Sequence, residues 1–98
     1  MGDLRFIWDD RKAASNLRKH GVSFEEGETV FADEYGLLLD DPDHSEGEDR
    51  YLLLGLSDRI RLLVVSHTPG AHSDEIRLIS ARKATRAEQT QYVGRLKR

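Results

Sequence analysis

The stretch that decides the fold reads RLISARKATRAE over residues 77–88. Its first half alternates apolar residues with others at the period of two that is typical of a β-strand. Its second half is a capping box, in which the Thr85 hydroxyl and the Glu88 carboxylate satisfy backbone amides at the start of a helix. The stretch therefore predicts a strand that leads directly into a helix over about residues 86–96.

The two arginines of this stretch indicate a site for an anion. Strict alternation along the strand places Arg82 on the face of Leu78 and Arg77 on the opposite face. A guanidinium at the end of an apolar strand needs an anionic partner, and its planar fork matches two phosphate oxygens. Two interpretations remain open: the arginines hold a phosphodiester, or they form a surface salt-bridge network with Glu75 and Glu88.

Several short strands lead up to this stretch. The predicted strands cover residues 35–40, 50–57, 61–68 and 75–81, and a further short strand covers residues 5–8. The turns between the four strands of residues 35–81 have no room for a crossover helix, so these four strands should form an antiparallel meander. The predicted fold class is α+β: a small antiparallel sheet of about four to five strands, with two N-terminal helices and a C-terminal helix.

Two helices are predicted before the meander. The first begins within residues 9–10 and ends at His20, because Gly21 is a typical C-terminal cap. The second begins at a further capping box, formed by Ser23 and Glu26. The apolar stripes expected to pack on the sheet are Ala13, Ala14 and Leu17 in the first helix, and Ala87, Val93 and Leu96 in the last.

Composition limits the class of protein. With 98 residues, 38% hydrophobic and 34% charged, the chain is expected to fold as one domain over residues 1–98. It has no cysteine, which excludes disulfides and thiolate metal sites. The apolar runs are too short to span a membrane and the acidic start is unlike a signal peptide, so we expect a cytoplasmic protein.

Charge is strongly segregated along the chain. Residues 1–24 hold five Lys or Arg and three Asp or Glu, residues 25–49 hold none and eleven, and residues 50–98 hold ten and four. The formal net charge is −3, yet one part of the chain is acidic and two parts are basic. This segregation leaves room for a polyanionic substrate, although it argues against non-specific coating of DNA.

Several motifs occur together in an order that resembles one protein family. The N-terminal motifs are Phe6-Ile7-Trp8-Asp9, Lys12, Asn16, the run KHGVSFEE over residues 19–26, and Val30-Phe31. The later ones are Asp40, His44, Glu48, Arg50, Gly55, the run RLISAR over residues 77–82, Glu88 and Tyr92. Together they resemble the BrnT-type toxins over nearly the whole chain.

This resemblance implies both a fold and an activity. The fold would be related to that of RelE-type toxins, and the activity would be a ribonuclease that needs no metal and inhibits translation. It also implies neutralisation by a cognate BrnA-like antitoxin with a ribbon-helix-helix domain. RNA would be the substrate, and operator DNA would be contacted only through the antitoxin. No cofactor and no membrane partner are expected.

Metal-free RNA cleavage needs three chemical roles: a base for the 2′-hydroxyl, cations for the developing phosphorane, and an acid for the leaving oxygen. The chain offers candidates for each. The candidate phosphate-binding residues are Arg50, Arg77, Arg82 and Lys19, those for proton transfer are His20 and Glu48, and Tyr92 is a candidate for orienting the phosphate or stacking a base. Lys12, Arg18 and Lys19 are the candidate RNA-binding residues of the first helix.

Each of these residues also has a structural interpretation. His20 can cap a helix C-terminus, Glu48 and Arg50 can form an ion pair at a strand edge, and Tyr92 can belong to the core. Lys12, Arg18 and Lys19 can form an ordinary solvated helix face. The acidic residues 40–44 lack the spacing of a calcium loop, and turn formation accounts for them without a metal.

The function predicted from the sequence is a metal-independent endoribonuclease toxin of a type II toxin–antitoxin pair. The alternative is a module without catalytic activity that binds the antitoxin and modulates its repression of the operon. A chelator-treated RNA-cleavage assay separates the two.

Overall fold

The computed structural model of the chain describes residues 3–40 and 49–97. Its strands are β1 (Arg5–Ile7), β2 (Leu37–Leu39), β3 (Tyr51–Leu56), β4 (Leu62–Pro69) and β5 (Glu75–Lys83). Its helices are α1 (Asp10–His20), α2 (Phe24–Thr29) and α3 (Arg86–Leu96), and a short 3-10 helix (Val30–Ala32) continues α2. The predicted α+β class, with two N-terminal helices and one C-terminal helix, is confirmed.

All five strands form a single sheet in the order β1-β5-β4-β3-β2. The antiparallel meander of β2 to β5 is confirmed. The short N-terminal strand joins it differently, because β1 runs parallel to β5 with Arg5 opposite Glu75. No hairpin connects these two strands, so their relative direction is not set by a turn. The sheet is therefore mixed, with β1 and β2 as its edges.

Apolar residues cover both faces of the sheet. On one face, which we call the helical face, β4 and β5 pack against the two N-terminal helices and the segment between them through Leu63, Val65, Leu78, Ala81, Val22, Phe24 and Val30. On the other face, β3 and β4 pack against α3 through Leu54, Val64, Ala84 and Tyr92. The alternation of β4 between these clusters is that of a strand buried on both sides.

A β-bulge interrupts the alternation of β5. Ser66 of β4 lies opposite Ser80, but the next residue, His67, lies opposite Leu78. Ile79 is thus an extra residue on β5, and it shifts the pairing by one. A bulge of this kind reverses the face on which every later side chain of the strand lies.

α1 begins and ends as predicted but buries a different stripe. Asp9 caps its N-terminus, and Gly21 ends it in the left-handed conformation with φ 68°. Ala14 and Leu17 were expected to pack on the sheet, yet both are exposed, Leu17 by 52%. The buried residue of α1 is Asn16. Ala13 packs against the core as predicted, but the prediction is wrong for Ala14 and Leu17, because α1 lies along the polar backbone edge of β5, where an amide is the better partner.

The Asn16 side chain continues the sheet where β1 ends. Its amide group donates to the Ala81 carbonyl at 2.8 Å and accepts from the Ala81 amide at 3.0 Å. It also donates to the Val22 carbonyl at 2.9 Å. Asn16 therefore satisfies buried backbone groups that would otherwise cost folding energy.

Replacing Asn16 by alanine should lower the free energy of unfolding by about 2 kcal/mol, because buried backbone groups lose their partners. Urea unfolding measures the loss, and the Ala81 amide should exchange its hydrogen faster. Ser15→Ala on the same helix is the matched control and should change stability by less than about 0.5 kcal/mol. Equal stability of the two variants would refute the role of Asn16.

Only one of the two hydrogen bonds predicted for the second capping box is present. Ser23 accepts a hydrogen bond from the Glu26 amide as predicted. The Glu26 carboxylate does not return to the helix start, because it accepts bonds from the Ser57 hydroxyl at 2.7 Å and the Arg61 guanidinium. Glu26 is buried, so a charged partner is worth more there than a backbone amide. This pair ties α2 to the β3–β4 turn.

α3 also packs through a residue other than those predicted. Its capping box of Thr85 and Glu88 is confirmed. The expected stripe is wrong, since Ala87, Val93 and Leu96 are exposed and the buried residue of α3 is Tyr92. None of the helices in the described residues combines the length and apolar character needed to cross a bilayer.

Candidate functional site

Arg77 and Arg82 lie on the same face of the sheet. Leu78 and Ala81 are three residues apart and both belong to the core of the helical face. Their neighbours Arg77 and Arg82 therefore point to the other side. The prediction that these arginines lie on opposite faces is wrong, and the extra residue Ile79 is the reason.

Arg50 adds a third arginine to this face, next to β3, the second strand from β5 in the sheet. Leu52 and Leu54 of β3 pack on the side of α3, and the same alternation places Arg50, the residue just before that strand, on this side too. The Thr68 hydroxyl donates to the Asp49 carbonyl at 2.6 Å and so holds this segment against β4. Arg50 and Arg77 are both half-buried.

We call this surface the arginine face, formed by Arg50, Arg77 and Arg82 with the hydroxyls of Ser66, Thr68 and Ser80. Register supports the grouping, because Thr68 lies directly opposite Arg77 and Ser66 opposite Ser80. Directly opposed side chains in an antiparallel pair are about 5 Å apart at Cβ. Sequence reasoning missed the three hydroxyl residues. The sequence signal for two of them lies in β4, where every second residue from 62 to 68 shares one face. This series changes from apolar residues at 62 and 64 to hydroxyl residues at 66 and 68.

Arg82 is oriented by an ion pair with Glu88. Two of its N–H groups donate to the two carboxylate oxygens, at 2.8 and 3.0 Å. Hydrogen bonds from Arg82 lower the pKa of Glu88 to about 2, so the carboxylate is ionised at any physiological pH. A guanidinium has five donors, and the fork that binds Glu88 leaves others to meet an anion. The salt-bridge interpretation is thus right for Glu88, whereas Glu75 pairs with Arg5.

α1 brings a second group of basic residues to the same strand. Lys12, Lys19 and His20 line a shallow pocket of about 190 Å³ together with Ile79 and Ser80 of β5. Ser80 belongs to the arginine face, so this pocket connects α1 to it. Lys12 and Lys19 are seven residues apart, which is about two helix turns, so both lie on the β5 side of α1.

Other predicted residues lie elsewhere. Arg18 is exposed on α1 and does not line this pocket. Glu48 lies outside the described residues, as do residues 41–44 of the acidic segment. In the described ranges, no group of three His, Cys, Asp or Glu residues could hold a metal ion.

Tyr92 lies in the core under α3. It is 4% exposed, and its hydroxyl donates to Asp33 at 2.6 Å. Burial and the neighbouring carboxylate raise the pKa of Tyr92 to about 12. Burial by itself would raise the pKa of Asp33. Hydrogen bonds from the Tyr92 hydroxyl and from the Leu56 and Tyr35 amides outweigh this effect, so the pKa of the Asp33 carboxyl is lowered. This geometry ties α3 to the end of the 3-10 helix.

The arrangement offers two chemical capabilities on adjoining surfaces. Planar guanidinium groups on one rigid sheet face can bind a phosphate and stabilise added negative charge on it. A histidine, His20, stands at the nearby end of α1 and brings an imidazole that can accept or donate a proton.

Comparisons with known proteins agree with this architecture. A family model described as "Ribonuclease toxin, BrnT, of type II toxin-antitoxin system" matches residues 8–88. A similar solved structure is the 1.1 Å crystal structure of the Brucella abortus ribonuclease toxin BrnT, with a TM-score of 0.65 and 24% sequence identity. The alignment covers 85% of this chain and 99% of that one. A search of curated proteins gave no significant match.

Proposed function

The chain belongs to the BrnT family of ribonuclease toxins of type II toxin–antitoxin systems, and from this membership we propose that it is an endoribonuclease that cuts RNA without a metal ion. Cleavage would inhibit translation, and a BrnA-like antitoxin with a ribbon-helix-helix domain would neutralise it. Operator DNA would be reached through that antitoxin alone.

One observation carries the proposed chemistry: the bulge at Ile79 brings Arg77 and Arg82 to one face of β5. Three arginines on a rigid sheet face suit a scissile phosphate, which gains negative charge as the 2′-oxygen attacks. Cationic groups arranged in advance stabilise that charge without reorganising during the reaction.

Proton transfer is assigned to two residues. His20 stands at the end of α1 in the pocket that reaches Ser80, and its imidazole can accept or donate a proton. Glu48 keeps the role predicted from the sequence. Lys12 and Lys19 would bind flanking phosphates of the RNA. Tyr92 is left out of this chemistry, since its buried hydroxyl is engaged with Asp33.

Purified protein should cleave single-stranded RNA in the presence of excess EDTA, because the proposed groups are cations and proton carriers. Attack by the 2′-hydroxyl should leave a 2′,3′-cyclic phosphate, and the matching DNA strand should stay intact. Gel electrophoresis and mass spectrometry of the products measure both. Loss of cleavage on chelation, restored by magnesium or manganese, would contradict the metal-free mechanism. Absence of cleavage, with the antitoxin still bound, would favour the non-catalytic module.

A further inference from the structure

A large groove lies between β1 and the helical segment of residues 24–32. Its volume is about 600 Å³. Leu4 and Phe6 line it from β1 and its N-terminal side, and Phe31 and Ala32 line it from the 3-10 helix. Leu4 is 47% exposed, so apolar surface is available to a partner. The groove is open and lies beside an edge strand of the sheet.

The rim of this groove is acidic. Asp3, Glu25 and Glu28 line it, and no lysine or arginine of residues 3–40 and 49–97 is part of its lining. Burial raises the pKa of Glu28, and the charge of Glu25 one turn earlier adds to the effect. A cation placed between these carboxylates would relieve that repulsion. The same rim repels a nucleic acid, so RNA is an unsuitable occupant.

The groove is also separate from the arginine face. The rings of Phe6 and Phe31 contact each other at a tilt of 57°, with 5.0 Å between their centroids, and pack against the core of the helical face. Arg77 and Arg82 lie on the other face of the sheet. A ligand in the groove therefore meets a surface that the proposed chemistry does not use.

We propose that this groove docks a segment of the antitoxin in which apolar side chains are flanked by lysine or arginine. The apolar side chains would cover Leu4, Phe6 and Phe31, and the cations would pair with Glu25 and Glu28. This inference rests on the proposed function only for the identity of the partner, and the chemistry of the segment follows from the apolar floor and the acidic rim.

Calorimetry with the purified antitoxin encoded with this toxin tests the proposal. Reversing two of the three rim charges with Glu25→Lys and Glu28→Lys should weaken binding by about 30-fold or more. Leu4→Ala removes apolar contact without changing charge and should weaken binding by about fivefold. Glu34→Lys is the matched control, because Glu34 is an exposed carboxylate of the same acidic segment outside the groove. It should leave the affinity within about twofold, because an exposed charge that does not line the groove makes no direct pair with the ligand.

The outcomes separate this inference from the proposed function. RNA cleavage by the free variants should stay within about twofold of wild type, since none of them is part of the proposed catalytic machinery. Unchanged antitoxin affinity in both the charge-reversal and the Leu4→Ala variants would overturn the groove as a docking site and leave the ribonuclease proposal standing. Should the charge reversals prevent folding, Leu4→Ala and Glu28→Gln decide by the same criterion. Dimerisation of the wild-type toxin alone, abolished by the rim variants, would instead assign the groove to a second copy of the chain. No binding of the antitoxin to wild type would overturn this inference and the proposed neutralisation, whereas the ribonuclease activity is decided separately by the RNA-cleavage assay.

Discussion

Replacing Arg82 by alanine is expected to reduce RNA cleavage by about 10²-fold or more, the scale of losing one charge-stabilising donor at a reacting centre. Arg82 lies on the arginine face and is held in place by its two bonds to Glu88. Single-turnover cleavage of a labelled RNA measures the effect on chemistry separately from product release.

The same substitution should leave the fold intact. The side chains of Arg82 and Glu88 are 35% and 17% exposed, so solvent screens their pair and its loss should cost about 1 kcal/mol or less. Glu88 keeps its bond from the Thr85 amide, which preserves the start of α3. Arg86→Ala is the matched control, since Arg86 is an exposed residue in the first turn of α3. An Arg82→Ala protein that unfolds near room temperature or cleaves at the wild-type rate would make Arg82 a structural residue.

The largest effect on stability is expected at Arg61. Its guanidinium binds the Glu26 carboxylate, whose side chain is only 4% exposed. Arg61→Ala would leave that charge buried with the Ser57 hydroxyl, a change that typically costs about 3–5 kcal/mol. This is a large share of the roughly 5–15 kcal/mol by which a domain is stable, so urea unfolding at pH 7 should shift strongly. Arg59→Ala, an exposed cation in the same turn, should have little effect.

The difference between wild type and Arg61→Ala should depend on pH. Hydrogen bonds from Arg61 hold the pKa of Glu26 below its ordinary value of 4.5. Because the folded-state pKa is lowered, the pair stabilises fully above the unfolded-state pKa, and this stabilisation is lost as pH falls through the folded-state value. In the variant, Glu26 protonates at a higher pH, which removes the buried charge. The difference in free energy of unfolding between wild type and Arg61→Ala should therefore shrink as the pH falls. A difference that stays constant from pH 7 to pH 3 would refute the ion-pair explanation.

Local patterns were sufficient to predict most of the secondary structure. Caps are short-range signals, so Asp9, Gly21 and the Thr85–Glu88 box gave correct helix ends. The short turns of the meander likewise allowed only antiparallel neighbours. The placement of β1 beside β5 could not be predicted, because no turn connects them.

The site was harder to predict than the fold. The composition of β5 correctly indicated an arginine-bearing strand, but alternation alone cannot reveal an extra residue in one strand, since a bulge depends on pairing with the other. The same limit explains Asn16, whose burial follows from meeting the backbone of Ala81 far along the chain. An amphipathic pattern describes one helix or strand in isolation. The bulge in β5 and the burial of Asn16 depend on the neighbouring strand or helix against which each element packs.

The parallel pairing of β1 with β5 has a consequence for how the protein is made. Arg5 and Glu75, which are hydrogen-bonded across that pairing, are 70 residues apart in the sequence. Asn16 and Ala81, which are also hydrogen-bonded, are 65 residues apart. During synthesis, the N-terminal strand and helix must wait for residues 75–83 to leave the ribosome before this edge of the sheet can close. The Arg82–Glu88 pair needs the start of α3 as well. The proposed site would therefore form only after residues 75–88 have left the ribosome, later than the N-terminal strand and helix that border it.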